Sequence, residues 1–159
     1  AVEKGVRQAL ASGAIAGYPM QDIRVVVYDG KHHPVDSKEV AFIAAGKKAF
    51  LDAVGKARPQ VLEPIADLEV SAPEQHMGDI SGGLSSKRAR INGTDTLRGG
   101  EIVVKAQVPM SELEGYAAEL KSVTAGRGRY ALDFSHYEPV PAQVQQRLVE
   151  AWKPHHDED

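Results

Sequence analysis

Cysteine is absent from the 159 residues, which removes disulfide frameworks, thiolate metal sites and thiol nucleophiles together. Long apolar runs are absent too, since nothing approaches the roughly 20 consecutive residues that a bilayer-spanning helix needs. No basic, apolar and small-residue series of the signal-peptide kind opens the chain. The expectation is a soluble cytoplasmic protein with no membrane partner. A dominant positive charge is also lacking: the net charge is −3. The residues through Gln60 carry 9 basic against 6 acidic groups, Val61 to Pro141 carry 8 against 12, and the remainder 2 against 4. No global field attracts nucleic acid, so any RNA contact has to use local patches. The opening AVEKGVRQALASG has no initiator methionine and no cap before its periodicity begins, and reads as a start inside something longer.

Catalytic motifs are missing in turn. Neither the phosphate-cradling G-x-x-x-x-G-K-S/T nor a strand-borne G-x-G-x-x-G occurs. Gly126-Arg127-Gly128-Arg129 has two glycines but precedes a strand pattern, and reads as a tight turn carrying two arginines. The histidines, His32–His33, His76, His136 and His155–His156, offer no spacing that puts two imidazoles on one helix face. Ser81, Ser85 and Ser86 lie in GDISGGLSSKR without a nucleophile elbow. The reading is of no catalytic residue, no metal site and no cofactor in this chain.

What is present is ordinary globular patterning, 42% hydrophobic, sufficient for one medium domain or two small ones. Val2, Val6 and Leu10 predict an amphipathic helix ending near Ser12–Gly13. Ile23, Val25 and Val27 alternate with Arg24, Val26 and Tyr28, predicting a strand with one face on a core. Asp36 and Glu39 predict a capping box, followed by a helical stripe of Val40, Ile43, Phe50, Leu51 and Val54 to Lys56. ARPQ, 57 to 60, marks a domain boundary. Beyond it come a strand through Ile65, Leu68 and Val70, a helix His76 to Arg88 interrupted at Gly82–Gly83, and a short strand 89 to 93. A strand 101 to 108 follows, then a helix Ser111 to Val123 with Ser111 and Glu114 as a capping box, and a strand Arg129 to His136. That order, strand, helix, strand, strand, helix, strand, predicts an α+β ferredoxin-like βαββαβ unit, an antiparallel sheet with two helices on one face. One more helix, 142 to 152, precedes a tail, 153 to 159, expected to be disordered.

Two basic groups stand out. Lys87, Arg88 and Arg90 close a helix, where cations complement its dipole or, three within four residues, hold a phosphate backbone. Arg98, Arg127 and Arg129 add guanidinium groups on glycine-rich turns, a good match to phosphate oxygens. The loop with Lys31, His32, His33 and Pro34 before Asp36 presents donors on a short, stiffened connection, or is simply a solvated polar turn.

Four stretches, AVEKGVRQALASGAIAGYP, DIRVVVYDGKHHPVDSKEVAF, LEPIADLEVSAPEQHMGDI and GRGRYALDFSHYEPVP, resemble in sequence and order the C-terminal part of bacterial elongation factor G, the GTPase that drives ribosomal translocation. The resemblance runs from Ala1 to about Arg147. It implies that 1–59 is the later, truncated portion of a ribosomal-protein-like βαβ fourth domain. It further implies that 60–141 is the ferredoxin-like fifth domain, and that helix 142–152 packs back onto the fourth. It implies a ribosome partner: the loop Lys31, His32, His33, Pro34 and Asp36 at the decoding site of 16S rRNA with tRNA–mRNA, and the fifth domain at the sarcin–ricin loop of 23S rRNA and the stalk base. The candidate rRNA contacts are Lys87, Arg88, Arg90, Arg98, Arg127 and Arg129. GTP and Mg would belong to the missing N-terminal part. His33 matches the family's tip histidine, but Pro34 stands where an acidic residue is common and His32 is an additional histidine. The family strands preceding Ala1 are not here, so 23–28 is expected to lack a partner and expose apolar surface. The alternatives are the same region of a divergent paralogue, such as a second elongation factor G or a tetracycline-resistance ribosomal protection protein, a ferredoxin-like regulatory module binding a small molecule, or an acylphosphatase-like enzyme.

Overall fold

The computed structural model describes residues 1–35 and 37–153. The predicted disordered tail, Lys153 apart, and Asp36 of the predicted capping box lie outside them. The chain divides into two units, one made of residues 1–61 with the segment from Val140 onward, the other of Leu62–Pro139.

In the first unit, α1 (Val2–Ser12) and α2 (Glu39–Lys56) pack together. Val6 and Ala9 of α1 meet Phe50 and Val54 of α2 in a small core, joined by Leu10, Ala14, Met20 and Leu51. The helices cross at glycines. A Cβ on Gly5 would collide with the carbonyl oxygen of Ile43, and one on Gly46 would lie 2.8 Å from that of Val2. Glycine in a helix interior costs about 1 kcal/mol against alanine, and here that cost is offset by backbone-to-backbone approach. Gly13, at φ 78°, ends α1 with its N–H on the carbonyl of Ala9. α5 (Ala142–Ala151) belongs to this unit. Its Gln145 donates to the carbonyl of Pro59 at 3.1 Å and accepts from the Val61 N–H at 3.0 Å. The indole of Trp152, just beyond α5, sits against Gly17.

Two expectations change here. Residues 23–28 do not form the predicted strand with one face on a core, although the missing partner and exposed apolar surface are as expected, and every strand among the described residues belongs to the other unit. A strand is completed by a neighbour's N–H and C=O groups, and this one has none, so Val26, Val27 and Tyr28 stand 67%, 65% and 94% exposed. Val40, the second residue of α2, which begins at Glu39 with Lys38 as its cap residue, is exposed rather than buried.

The second unit is a four-stranded antiparallel sheet in the order β2-β3-β1-β4, formed by β1 (Leu62–Pro73), β2 (Arg90–Leu97), β3 (Glu101–Pro109) and β4 (Arg129–Pro139). α3 (Met77–Ser86) and α4 (Tyr116–Val123) bury their apolar stripes against one face. The strict alternation of Leu68, Val70 and Ala72 in β1 and of Ile102, Val104, Ala106 and Val108 in β3 puts those residues under Ile80, Leu84, Tyr116 and Leu120. This is the expected ferredoxin-like arrangement. α3 runs without interruption through Gly82–Gly83, β2 is longer than predicted, and α4 starts after Gly115 at φ 73° instead of at Ser111. Residues 110–113 form a short 3-10 turn, so Ser111 and Glu114 make no capping box.

The Tyr116 hydroxyl is buried without a hydrogen-bond partner among the described residues, and burial pushes its phenol up to about 12. Its ring packs edge-on to Tyr130 at 5.3 Å and under the Lys87 ammonium at 5.9 Å. Phenylalanine keeps both ring contacts and removes the orphan group. Tyr116→Phe is therefore expected to raise the thermal midpoint, by up to about 1 kcal/mol of stability, since an unpaired buried hydroxyl costs on that order; a clear loss in calorimetry would show that the hydroxyl is bonded after all.

Candidate nucleic-acid interface

The loop after Tyr28 is closed at its base by a reciprocal pair. The His33 N–H donates to Ser37 Oγ at 2.8 Å, and the Ser37 N–H donates to the His33 carbonyl at 3.1 Å. Asp29 accepts the Gly30 N–H at 2.8 Å and fixes the entry. Between these two points Lys31, His32, His33, Pro34 and Val35 are all exposed. The side chains of Lys31, His32 and His33 have no partner among the described residues, and they stand exposed on a pinned turn.

In the sheet unit the six predicted cations fall at opposite ends of the sheet. Arg90 lies opposite Gln107, near the start of β1 and the end of β4, whereas Leu97 lies opposite Glu101 and Arg129 opposite Ser71, at the other end. At the first end each cation is engaged by acid. Lys87, its side chain 16% exposed, pairs with Glu119 at 2.8 Å. Arg88 donates Nη1 and Nη2 to the two oxygens of Glu63 at 2.7 and 3.0 Å and Nε to Glu112 at 2.9 Å. These bonds, Glu63 foremost, hold its guanidinium far above the ordinary arginine value. Arg90 donates to Glu138 at 2.7 Å.

At the second end the guanidinium groups are open. Arg98 sits on the β2–β3 turn, where Gly99 and Gly100 take φ of 89° and 78°. The Glu74 N–H donates to the Gly100 carbonyl at 2.8 Å and ties that turn to the exit of β1. Arg127 sits on the α4–β4 turn. Buried Thr124 braces it by donating to the Leu120 carbonyl at 2.6 Å and accepting the Gly128 N–H at 2.7 Å. Gly128 has no room for a side chain, since its Cβ would lie 2.7 Å from Thr124 Oγ1. Neither Arg98 nor Arg127 has an ion-pair partner among the described residues. Arg129 is 3.9 Å from Glu101 with its side chain 77% exposed, a pairing that salt screens readily. Lys121, exposed in the last turn of α4, accepts the Gly126 N–H on its carbonyl at 2.8 Å and belongs to the same turn. Sequence reasoning passed over Lys121, because a single lysine at a helix end is explained by the dipole alone.

No group of three or more His, Asp or Glu among the described residues could hold a metal ion, and no helix there is long and apolar enough to cross a membrane. The exposed cations of the loop and of the second sheet end stand on turns held by hydrogen bonds. Two family models match the chain in succession, the second running past Pro139 into the segment that the structure groups with the first unit. The model of the elongation factor G C-terminus matches residues 60–148, and that of elongation factor G, domain IV, matches residues 1–58.

The chain belongs to the elongation factor G family. Elongation factor G of Aquifex pyrophilus is 47% identical over 148 residues, 93% of this chain and 21% of that protein. A crystal structure from Thermus thermophilus matches with a TM-score of 0.75 at 40% identity, over 94% of this chain and 22% of that one. The chain thus spans about a fifth of the length of these relatives. Within the elongation factor G family the pinned loop falls in the matched domain IV segment, and both basic ends of the sheet fall in the C-terminal segment.

Proposed function

We propose that this chain is the ribosome-facing C-terminal region of a translational GTPase that promotes tRNA–mRNA translocation, with 1–59 as part of domain IV and 60–141 as domain V. Membership in the elongation factor G family carries the reading. GTP and Mg belong to a GTPase domain outside this sequence, and the chain itself acts by steric and electrostatic positioning in the cytoplasm. Nucleotide state elsewhere in the factor orients domain IV. The loop Lys31, His32, His33, Pro34 and Asp36 then occupies the decoding site of 16S rRNA, so that the tRNA–mRNA duplex cannot slip back, His33 touching RNA without proton transfer. Domain V meets the sarcin–ricin loop of 23S rRNA and the stalk base. Of the six cations proposed to contact rRNA there, Arg98 and Arg127, with Arg129, are best supplied with free guanidinium, while Lys87, Arg88 and Arg90 reach RNA only by giving up an acidic partner.

The test is co-sedimentation of the chain with ribosomes across a salt series. Replacing Arg98 and Arg127 with glutamine is expected to weaken binding and to reduce the slope of log affinity against log salt by about 1 to 2, one unit per lost phosphate contact. An unchanged slope in that double variant would overturn the assignment of this sheet end as the phosphate-contacting edge.

A further inference from the structure

A bulge in β4 assembles a second group of reactive side chains on the open face of the sheet. The β1–β4 register shifts between Ile65 and Ala66, so that Ile65 lies opposite His136, Ala66 opposite Phe134, and Ser135 is the extra residue. In a regular strand Ser135 and His136 would point to opposite faces. A bulge interrupts that alternation and re-aims side chains, and here Ser135 Oγ and His136 Nδ1 hydrogen-bond to each other at 2.8 Å. Two residues on, Glu138 Oε1 lies 2.7 Å from His136 Nε2. Arg90 Nη2, reaching over from β2, donates to the same oxygen at 2.7 Å. Gln107 of β3 donates to Asp67 at 3.1 Å and has its amide nitrogen 3.5 Å from Ser135 Oγ.

The network dictates the histidine tautomer. A carboxylate only accepts, so in the neutral ring the Nε2 facing Glu138 carries the proton, and Nδ1 is left to accept from the serine hydroxyl. Glu138 is ionised over the neutral range, because the hydrogen bond from His136, with Arg90 behind it, holds its carboxyl below the ordinary 4.5. Nucleophile and base within hydrogen-bond reach, with the base oriented by a third group, is the arrangement that activates a serine.

We infer that Ser135 is an activated hydroxyl that accepts acyl groups from small activated esters, with His136 as its general base, Glu138 and Arg90 as positioning residues and Gln107 as the nearest oxyanion donor. Ser135 Oγ attacks the acyl carbonyl while its proton passes to His136 Nδ1. Collapse of the tetrahedral adduct breaks the bond to the alcohol oxygen, which leaves with that proton, and the acyl group stays on Ser135. Water, deprotonated by the same imidazole, later releases the acid. The site lies on a sheet face with the His136 side chain 41% exposed, so water is not excluded and turnover is slow.

The intact chain is incubated with p-nitrophenyl acetate, and acetylated serines are quantified by mass spectrometry against time. Ser111 and Ser122, both exposed and neither with a histidine partner among the described residues, serve as controls in the same molecule. Ser135 is expected to acetylate at least about tenfold faster than either, general-base assistance being worth that or more. His136→Asn should bring Ser135 down to the control rate, with partial recovery on adding free imidazole, and Ser135→Ala should abolish labelling of that peptide. Ser135 labelling no faster than that of Ser111 and Ser122, or no slower in His136→Asn, would overturn the inference.

Discussion

Replacing Arg88 with methionine is expected to destabilise the sheet unit by about 2 to 4 kcal/mol, measured by chemical unfolding followed by circular dichroism, because breaking a paired buried charge strands its partner. The stranded partner is Glu63, whose side chain is only 10% exposed and whose two oxygens both lean on Arg88. The figure is set below the full cost of a buried pair, since the Arg88 side chain is itself 32% exposed and water reaches it. Arg88→Lys should recover only part of the loss, as an ammonium cannot serve Glu63 with two parallel bonds and Glu112 with a third. Removing both charges, Arg88→Met with Glu63→Leu, should be milder than Arg88→Met alone. If Arg88→Met unfolds at the wild-type denaturant midpoint, the ion triad contributes nothing and the cation is free for another role.

A Cβ at Gly5 has nowhere to go. Its neighbour is the carbonyl of Ile43, main chain within α2 that cannot yield as a flexible side chain would. Gly5→Val should separate α1 from α2 and cost about 3 kcal/mol or more, the upper end for overpacking, where the cluster between the two helices has just four buried side chains among the described residues. Trp152, the single tryptophan, lies in the same unit against Gly17, so its fluorescence reports the loss without interference from the sheet. Gly55 provides the control in the same helix pair. A Cβ there meets nothing within 4 Å, and Gly55→Ala should stabilise by about 0.5 to 1 kcal/mol through helix propensity. Equal effects of the two substitutions would mean that the close crossing carries no energy.

Elements whose pattern is written in successive residues were legible in the sequence. ADLEVSA in β1 alternates strictly and IVVKAQV in β3 does so but for Val103, and the structure buries Leu68, Val70, Ile102 and Val104 as that alternation demands. The start of α4 was not legible. The predicted Ser111–Glu114 capping box gives way to a backbone solution, Gly115 in the left-handed region, which leaves no side-chain signature. Lys87, Arg88 and Arg90 looked like one patch because they are neighbours in sequence. Their carboxylate partners, Glu119, Glu63 and Glu138, come from α4, β1 and β4, and only the fold reveals that each cation is already engaged. The serine relay was hidden for a similar reason, since adjacent residues on a strand face apart unless a bulge intervenes.

Order of synthesis has a consequence for the first unit. Its helices α1 and α2 are made early, but α5, whose Gln145 bonds Pro59 and Val61, is made only after all of Leu62–Pro139. As free coil, that intervening stretch would have to be closed into a loop at an entropic cost. Once folded, it holds its own two ends side by side, Leu62 opposite Pro139, and the loop that α5 has to close is then already closed. Docking of α5 should therefore follow the sheet in time, and a chain whose sheet fails to form should release α5 with it.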